Sequence, residues 1–561
     1  MHELMFARRS TASYRMPLLR LFSAILIAAL SVIGSSGSSA FAAPRPTVDI
    51  QILAVSDWHA QLDPISVFGV GDVGGAAVLS SYWNEDRAIN PNTLTLTAGD
   101  AYGASPPLSG FFEEEPAIHA MNLMGFDADT FGNHNFDRGI AHLQQMIDLA
   151  DFQYVSANLK NRDDNLTDVK DYEIFEVGGV KVAVIGITNP EAPNLVFPGN
   201  FGTIEPTDPI PAANKARARA KAEGAQVFIA ITHLGVTGFD PVTGAATGPL
   251  IDFVDNVGGF NLIFGDHTDV QYSAIHNNAL VVENRSKGVT YSKSVLTVDP
   301  QNGRIADRTN TFVTPLSSAV TPDPAIVAML APYRAALSAA FDAPIGVATG
   351  LFPRGGNIER SGEVAIGNLI ADALRLKYGT QLALTNGGGI RAPLPSSYLP
   401  ADLSLRRNSP GYAPGPPFDL VVGDAFAVLP FGNSVVTRTV TGAQLWEALE
   451  NGVSQINSAT CLGADGRFPQ ISGFKFTFQC SLPAGSRVLS VAFPDDMPIP
   501  PDSTTYTFAT NDFVNAGGDF YTMFADGQGT TREVMADVVL EYIEGLGTIT
   551  PTIEGRITKL P

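Results

Sequence analysis

The chain has 561 residues, 45% of them hydrophobic and 16% charged; that balance excludes a disordered chain, and the length calls for more than one hydrophobic core. Its 56 acidic and 35 basic side chains leave a formal charge of -21. Such a field excludes nucleic-acid polymers and anionic membrane surfaces as partners except where a local site reverses it.

Residues 1–42 read as a signal peptide. Arg8, Arg9, Arg15 and Arg20 precede an apolar run over 21–33, and Ala40-Phe41-Ala42 supplies a small-x-small cleavage pattern. The run falls short of the roughly 20 apolar residues that a membrane span needs, so the expectation is an exported protein, periplasmic or extracellular, without a stable membrane anchor. From 43 to 320, short apolar runs alternate with helical spacing, as an α/β sandwich requires. Strands are expected at 48–55, 93–97, 180–187, 227–231 and 260–264, and helices at 116–124, 140–149 and 211–223. A linker over 321–341 carries a helix with Asp323 as N-cap and Pro324 at its first position. A second α/β domain is expected over 342–561, with helices at 364–378, 442–454 and 532–546 among strands at 381–385, 435–440 and 505–510. Cys461 and Cys480, the only cysteines, are expected to pair as a local disulfide rather than stay as free thiols. The oligomeric state is not encoded in any of these features.

Several strands of the first half run straight into metal-competent residues. Val55 leads into Ser56-Asp57-Trp58-His59, Thr97 into Gly99-Asp100, and Phe131 into Gly132-Asn133-His134-Asn135-Phe136-Asp137. Ile231 leads into Thr232-His233, and Phe264 into Gly265-Asp266-His267-Thr268-Asp269. Each such residue alone reads as a cap or turn; together they place oxygen and imidazole ligands where open α/β sheets hold their ligands. Asp100 is the natural carboxylate to bridge two cations. Two divalent ions roughly 3.5–4 Å apart clamp both oxygens of an in-line phosphoryl displacement and lower the pKa of water.

This order of motifs resembles the calcineurin-like metallophosphoesterases, and within them the exported 5′-nucleotidase and UDP-sugar hydrolase family. The resemblance implies two divalent metal ions, Zn, Mn or Mg. Asp57, His59, Asp100 and Asp269 would hold one, and Asp100, Asn133, His233 and His267 the other. It further implies that His134 and Asp137 act as a catalytic dyad. The chain departs from the family pattern at Asp269, where Gln or His is usual, at Asp266, where Gly is usual, and at Asn135, where Glu is common. Two added carboxylates favour harder ions such as Mn²⁺ or Mg²⁺. Asn135 is expected to matter little, because that position is not a ligand in the family.

In the second half, Asn386-Gly387-Gly388-Gly389-Ile390-Arg391 follows one expected strand and Asn511-Asp512-Phe513 another. Glycine triplets admit close backbone approach, and guanidinium forks suit phosphate. By resemblance Phe431 and Phe513 sandwich a base, Asn433 contacts it and Asp519 holds ribose hydroxyls. Arg360, Asn386 and Arg391 fall where phosphate or ribose is bound. The implied architecture is α/β: a two-metal metallophosphoesterase sandwich with two sheets, joined by a helix to a C-terminal nucleotide-binding α/β domain that rotates about that helix. The implied reaction is metal-dependent hydrolysis of nucleoside 5′-phosphates to nucleoside and phosphate. A UDP-sugar hydrolase, a 2′,3′-cyclic-nucleotide phosphodiesterase and a sulfur-compound hydrolase are rivals on the same scaffold. A non-catalytic nucleotide-binding or surface-interaction protein is the rival from another class.

Overall fold

The strand Val48–Val55 has two apolar faces. Ile50, Ile52 and Ala54 enter one core and Leu53 and Val55 another, which requires a sheet covered on both sides. The computed structural model describes residues 46–561 except 68 and 241 and places the strand in such a sheet; the signal peptide expected at 1–42 lies outside the described residues. In spatial order this sheet runs Arg304–Val313, Tyr291–Asp299, Val48–Val55, Thr93–Thr97, Ala128–Asp129, Gln153–Val155 and Val169–Lys170. A second sheet runs Tyr272–His276, Ala279–Glu283, Leu262–Gly265, Val227–Thr232, Val180–Ile187 and Tyr172–Val177. The two face each other across Ile52, Leu96, Val182, Val184, Ile229 and Ile231.

Helices Ala76–Ile89, Glu115–Met124 and Gly139–Leu149 bury Leu79, Trp83, Ile118, Met121 and Leu143 against the outer face of the first sheet. Pro209–Ala222 and Pro249–Asn256 cover the second through Ala213, Ala216, Leu250 and Phe253. The result is four layers, helix on sheet on sheet on helix. Val48–Val55 pairs parallel with Thr93–Thr97, and Val180–Ile187, Val227–Thr232 and Leu262–Gly265 form a parallel run. Their carboxyl ends therefore open on a common edge, which is where the expected ligands stand.

The helix Pro324–Phe341 begins as expected, with Asp323 Oδ1 accepting the Ala325 N–H at 2.9 Å. Asp323 Oδ2 also accepts the Ser80 hydroxyl at 2.8 Å. At the other end the Phe341 ring lies 5.0 Å from Phe111 and 5.1 Å from Phe426, so this one helix touches both halves of the chain. Beyond it a five-stranded sheet runs Pro469–Ser472, Leu382–Asn386, Thr505–Asn511, Ser434–Thr441 and Thr530–Val534. Ala365–Tyr378 and Met535–Leu546 pack on one of its faces and Gly442–Val453 on the other.

Two expectations shift. The helix expected from 532 begins at Met535, because Thr530 and Thr531 pair with Thr437 and Val436 at the sheet edge and draw Arg532 and Glu533 into a strand. Leu262–Gly265 starts two residues later than the run from 260 suggested. The helix Ala76–Ile89 escaped sequence reading because Gly75 precedes it with no side-chain cap.

Cys461 and Cys480 form a disulfide 19 residues apart in sequence with Cα atoms 5.3 Å apart. A loop of that size is worth roughly 3 kcal/mol in the chain-entropy account. Replacing both cysteines by alanine should lower the unfolding free energy by about that amount in urea denaturation. An unchanged midpoint would show that the loop is held by its other contacts.

Candidate metal centre and substrate pocket

Five segments at the strand ends bring their side chains to one point. Asp57, His59 and Asp100 all adopt left-handed backbone, with φ of 41°, 48° and 48°. The loops are tied by the His59 N–H to Asp100 O bond at 3.0 Å and the Ala60 N–H to Ala101 O bond at 2.7 Å. Residues other than glycine hold such conformations only where their surroundings fix them. Gly132 is required beside them, since a Cβ there would fall 2.1 Å from Asp100 Oδ1.

Among the described residues, Asp57, His59 and Asp100 offer ligand atoms within 4.8 Å of one another, and so do Asp100, His233 and His267. Asp100 is common to both groups. Its Oδ1 accepts the His134 N–H at 2.8 Å and its Oδ2 lies 3.1 Å from His233 Nε2. His233 Nδ1 lies 3.1 Å from Ala98 O and His59 Nδ1 lies 2.8 Å from Gly103 O. Carbonyls accept only, so each Nδ1 donates and each Nε2 is turned toward the centre.

The electrostatics ask for cations. Burial pushes the Asp100 carboxyl up, yet His233, His134 and His59 outweigh it and hold it well below the usual carboxylate range. Burial pushes the His233 imidazole down, but Asp100 and Asp57 prevail and raise it to about 9. His267, held down to about 3 by burial and by His233, puts Nδ1 3.1 Å from His233 Nε2. Asp57 Oδ1 and Asn133 Oδ1 are buried without a hydrogen-bond partner. Inward-facing imidazole nitrogens, buried carboxylates and orphaned oxygens together fit divalent metal ions.

Asp269 stands apart from these groups. It lines the cavity, and its Oδ1 accepts both the N–H and the hydroxyl of Ser286 at 2.9 Å. Asp266 is drawn in instead, within 4.8 Å of ligand atoms of Asp57 and His233. Asn135 has more to do than expected: its Oδ1 accepts the N–H groups of Asp100 at 3.2 Å and Gly132 at 2.8 Å, which ties the Asp100 loop to the Gly132 loop.

His134 Nδ1 lies 3.0 Å from both carboxylate oxygens of Asp137. That fixes the tautomer and turns Nε2 away from Asp137. The His134 ring stacks on Phe431 at 5.5 Å with 20° between planes, joining the first half of the chain to the second. Arg391 is buried, donates from Nη2 to His59 Nε2 at 3.0 Å, and lies 5.7 Å from the Phe431 ring. Burial, with Arg360 and Arg354 nearby, pushes its guanidinium down to about 9. Desolvated cations of this kind await an anion.

A cavity of about 1260 Å³ runs from this point, lined by His134, Arg360, Arg391, Phe431, Phe513 and Asp519 among others. Asn386 Nδ2 donates to Asp519 Oδ2 at 2.7 Å, and burial with Asp465 pushes the Asp519 carboxyl up to about 6. Asn433 Nδ2 donates to Asp512 Oδ1 at 2.7 Å. Gly518 lets Phe513 pack closely, since a Cβ there would fall 2.2 Å from the ring.

Sequence reading missed three supports. Asp129, pushed up to about 8 by burial, accepts the N–H groups of Gly99 at 3.0 Å and Thr130 at 2.7 Å. Lys287, pushed down to about 7 by burial and by Arg354 and Arg391, donates Nζ to Arg391 O at 2.9 Å. Arg354 donates Nε to Ile390 O at 3.0 Å. Of these, only Asp129 lies beside a recognised motif.

Comparison with known proteins places these features in a wider group. Residues 344–526 match the model of the 5′-nucleotidase C-terminal domain. The chain is 27% identical to Endonuclease YhcR of Bacillus subtilis over 539 residues, 92% of this chain and 41% of that one. It is 26% identical to the snake venom 5′-nucleotidase of Naja atra over 548 residues, 91% of this chain and 98% of that one. The crystal structure of a 5′-nucleotidase precursor from Thermus thermophilus superposes with a TM-score of 0.78 at 27% identity, covering 91% of this chain and 99% of the other. The chain spans between 35% and 66% of the length of three bacterial relatives.

Proposed function

Because the chain belongs to the 5′-nucleotidase family of metallophosphoesterases, we propose that it hydrolyses nucleoside 5′-phosphates to nucleoside and phosphate. One observation carries the reading: two ligand groups that share Asp100 lie a single 3.0 Å contact, His59 to Arg391, from a cavity walled by Phe431 and Phe513. Asp57, His59 and Asp100 would hold one divalent ion, and Asp100, Asn133, His233 and His267 the other. When bound, such a pair polarises phosphate oxygens and lowers the pKa of water.

The chain's own side chains do the rest. Arg391 and Arg360 offset the charge of the phosphate, and Asp519 with Asn386 receives the ribose hydroxyls. Phe431 and Phe513 take the base between them, with Asn433 at its edge. His134, as an imidazolium with its Nδ1–H held by Asp137, gives its Nε2 proton to the departing ribose oxygen. Asp266 adds a carboxylate that suits Mn²⁺ or Mg²⁺. The domain reading goes with this assignment: a metal-binding part over 43–320, a linker over 321–341 and a substrate-binding part over 342–561. Export by the 1–42 leader belongs to the same proposal, supported by the Cys461–Cys480 disulfide and the venom relative.

Phosphate release from AMP, UDP-glucose and 2′,3′-cyclic AMP, each with single divalent ions added back after chelation, tests the assignment. AMP should be preferred, and no turnover with any ion would overturn it. Stacking contributes about 1–3 kcal/mol per base. Joint replacement of Phe431 and Phe513 by alanine should therefore raise KM for AMP by about one to two powers of ten and leave 4-nitrophenyl phosphate nearly unchanged. Equal losses on both substrates would remove the base clamp.

A further inference from the structure

We propose that Asp266 is a positioning residue that clips the two ligand groups of the metal centre together, so that both ions are held as one unit. The inference rests on the two-ion reading above. Asp266 follows the strand Leu262–Gly265 and is 1% exposed. Its Oδ2 accepts the N–H of Asp57 at 3.1 Å, and its Oδ1 accepts the N–H of His267 at 2.8 Å. One carboxylate thus grips the backbone of one residue from each group, across 209 positions of sequence.

Both gripped residues have left-handed backbone, with φ of 41° at Asp57 and 87° at His267. That conformation is strained at a residue with a side chain and persists only where neighbours over-determine it. A local turn would explain the bond to His267 alone. The bond to Asp57 is long-range, and it is joined by the Ser56 hydroxyl donating to Gly265 O at 3.4 Å. Asp266 also lies within 4.8 Å of ligand atoms of Asp57 and His233, so it places carboxylate oxygens where two cations must be brought close. Hard ions, held mainly by oxygen charge, gain more from that than Zn²⁺ does. Groups that orient metal ligands are typically worth 10- to 100-fold in affinity.

The test uses the full chain stripped of metal and titrated with Mn²⁺ alone, reading stoichiometry by equilibrium dialysis and spin coupling by electron paramagnetic resonance. Wild type should take two ions per chain and show the signal of a coupled pair. Asp266→Ala should weaken both ions together by about 10- to 100-fold and replace the coupled signal with that of isolated Mn²⁺; the loss for Zn²⁺ should be smaller. Asp266→Asn keeps one acceptor oxygen and the shape, and should fall between. It carries the test if the alanine variant does not fold by circular dichroism. Folded variants that bind two ions with wild-type affinity and coupling overturn the clip while leaving the two-ion reading intact, as does a loss confined to one ion. A wild-type chain that binds no Mn²⁺ overturns both.

Discussion

Asp100→Asn should yield a folded protein that releases phosphate from AMP more than ~10³-fold more slowly than wild type. Asp100 is the one side chain common to both ligand groups. Its Oδ1 already accepts the His134 N–H and its Oδ2 faces His233 Nε2. The amide keeps the volume and one acceptor, so the His134 contact survives and the loop should still close. It removes the negative charge that would draw two cations together and puts a donor N–H₂ in place of one oxygen. Metal content, measured beside activity, should drop from two ions toward one or none. A variant that keeps both ions and stays within tenfold of wild-type turnover would remove Asp100 from the bridging role, and the mechanism with it.

Much of this site was legible in the sequence, for a physical reason. Ligands at strand carboxyl ends follow directly from apolar runs of four to eight residues, so Val55, Thr97, Ile231 and Phe264 each pointed to what came next. The helix Pro324–Phe341 was legible because Asp323 and Pro324 encode its start locally. What stayed hidden depends on partners distant in the chain. The strand Thr530–Val534 forms because Ser434–Thr441 offers it an edge, and no local pattern announces that. Asp266 reads as one more acidic turn residue until Asp57, 209 positions away, donates to it. Asn135 looked dispensable as a non-ligand, yet it holds the Asp100 N–H. Lys287 carries no motif at all, and only the arrival of Arg391 O beside its ammonium gives it a role. Single residues with a chemical type and a fixed offset from a strand were readable; residues defined by whose backbone they hold were not.

His134→Ala should reduce turnover of AMP by about 10²- to 10⁴-fold, the range typical of a lost general acid, while leaving metal content at the wild-type value. The second half of that expectation follows from geometry. His134 belongs to neither ligand group, and its link to the centre is a backbone N–H to Asp100 that alanine also has. The first half turns on the leaving group. A ribose oxygen departs as a strongly basic alkoxide unless a proton arrives, and His134 has Nδ1 fixed by Asp137 at 3.0 Å and its ring beside Phe431, the proposed base platform. A nitrophenolate needs no proton, so the same substitution should cost 4-nitrophenyl phosphate hydrolysis less than about tenfold. Asp137→Asn should lie between, since it loosens the ring without removing it. Equal losses on the two substrates would mean that His134 shapes the pocket and transfers no proton. A large loss confined to the nucleotide puts the proton where the dyad's geometry places it.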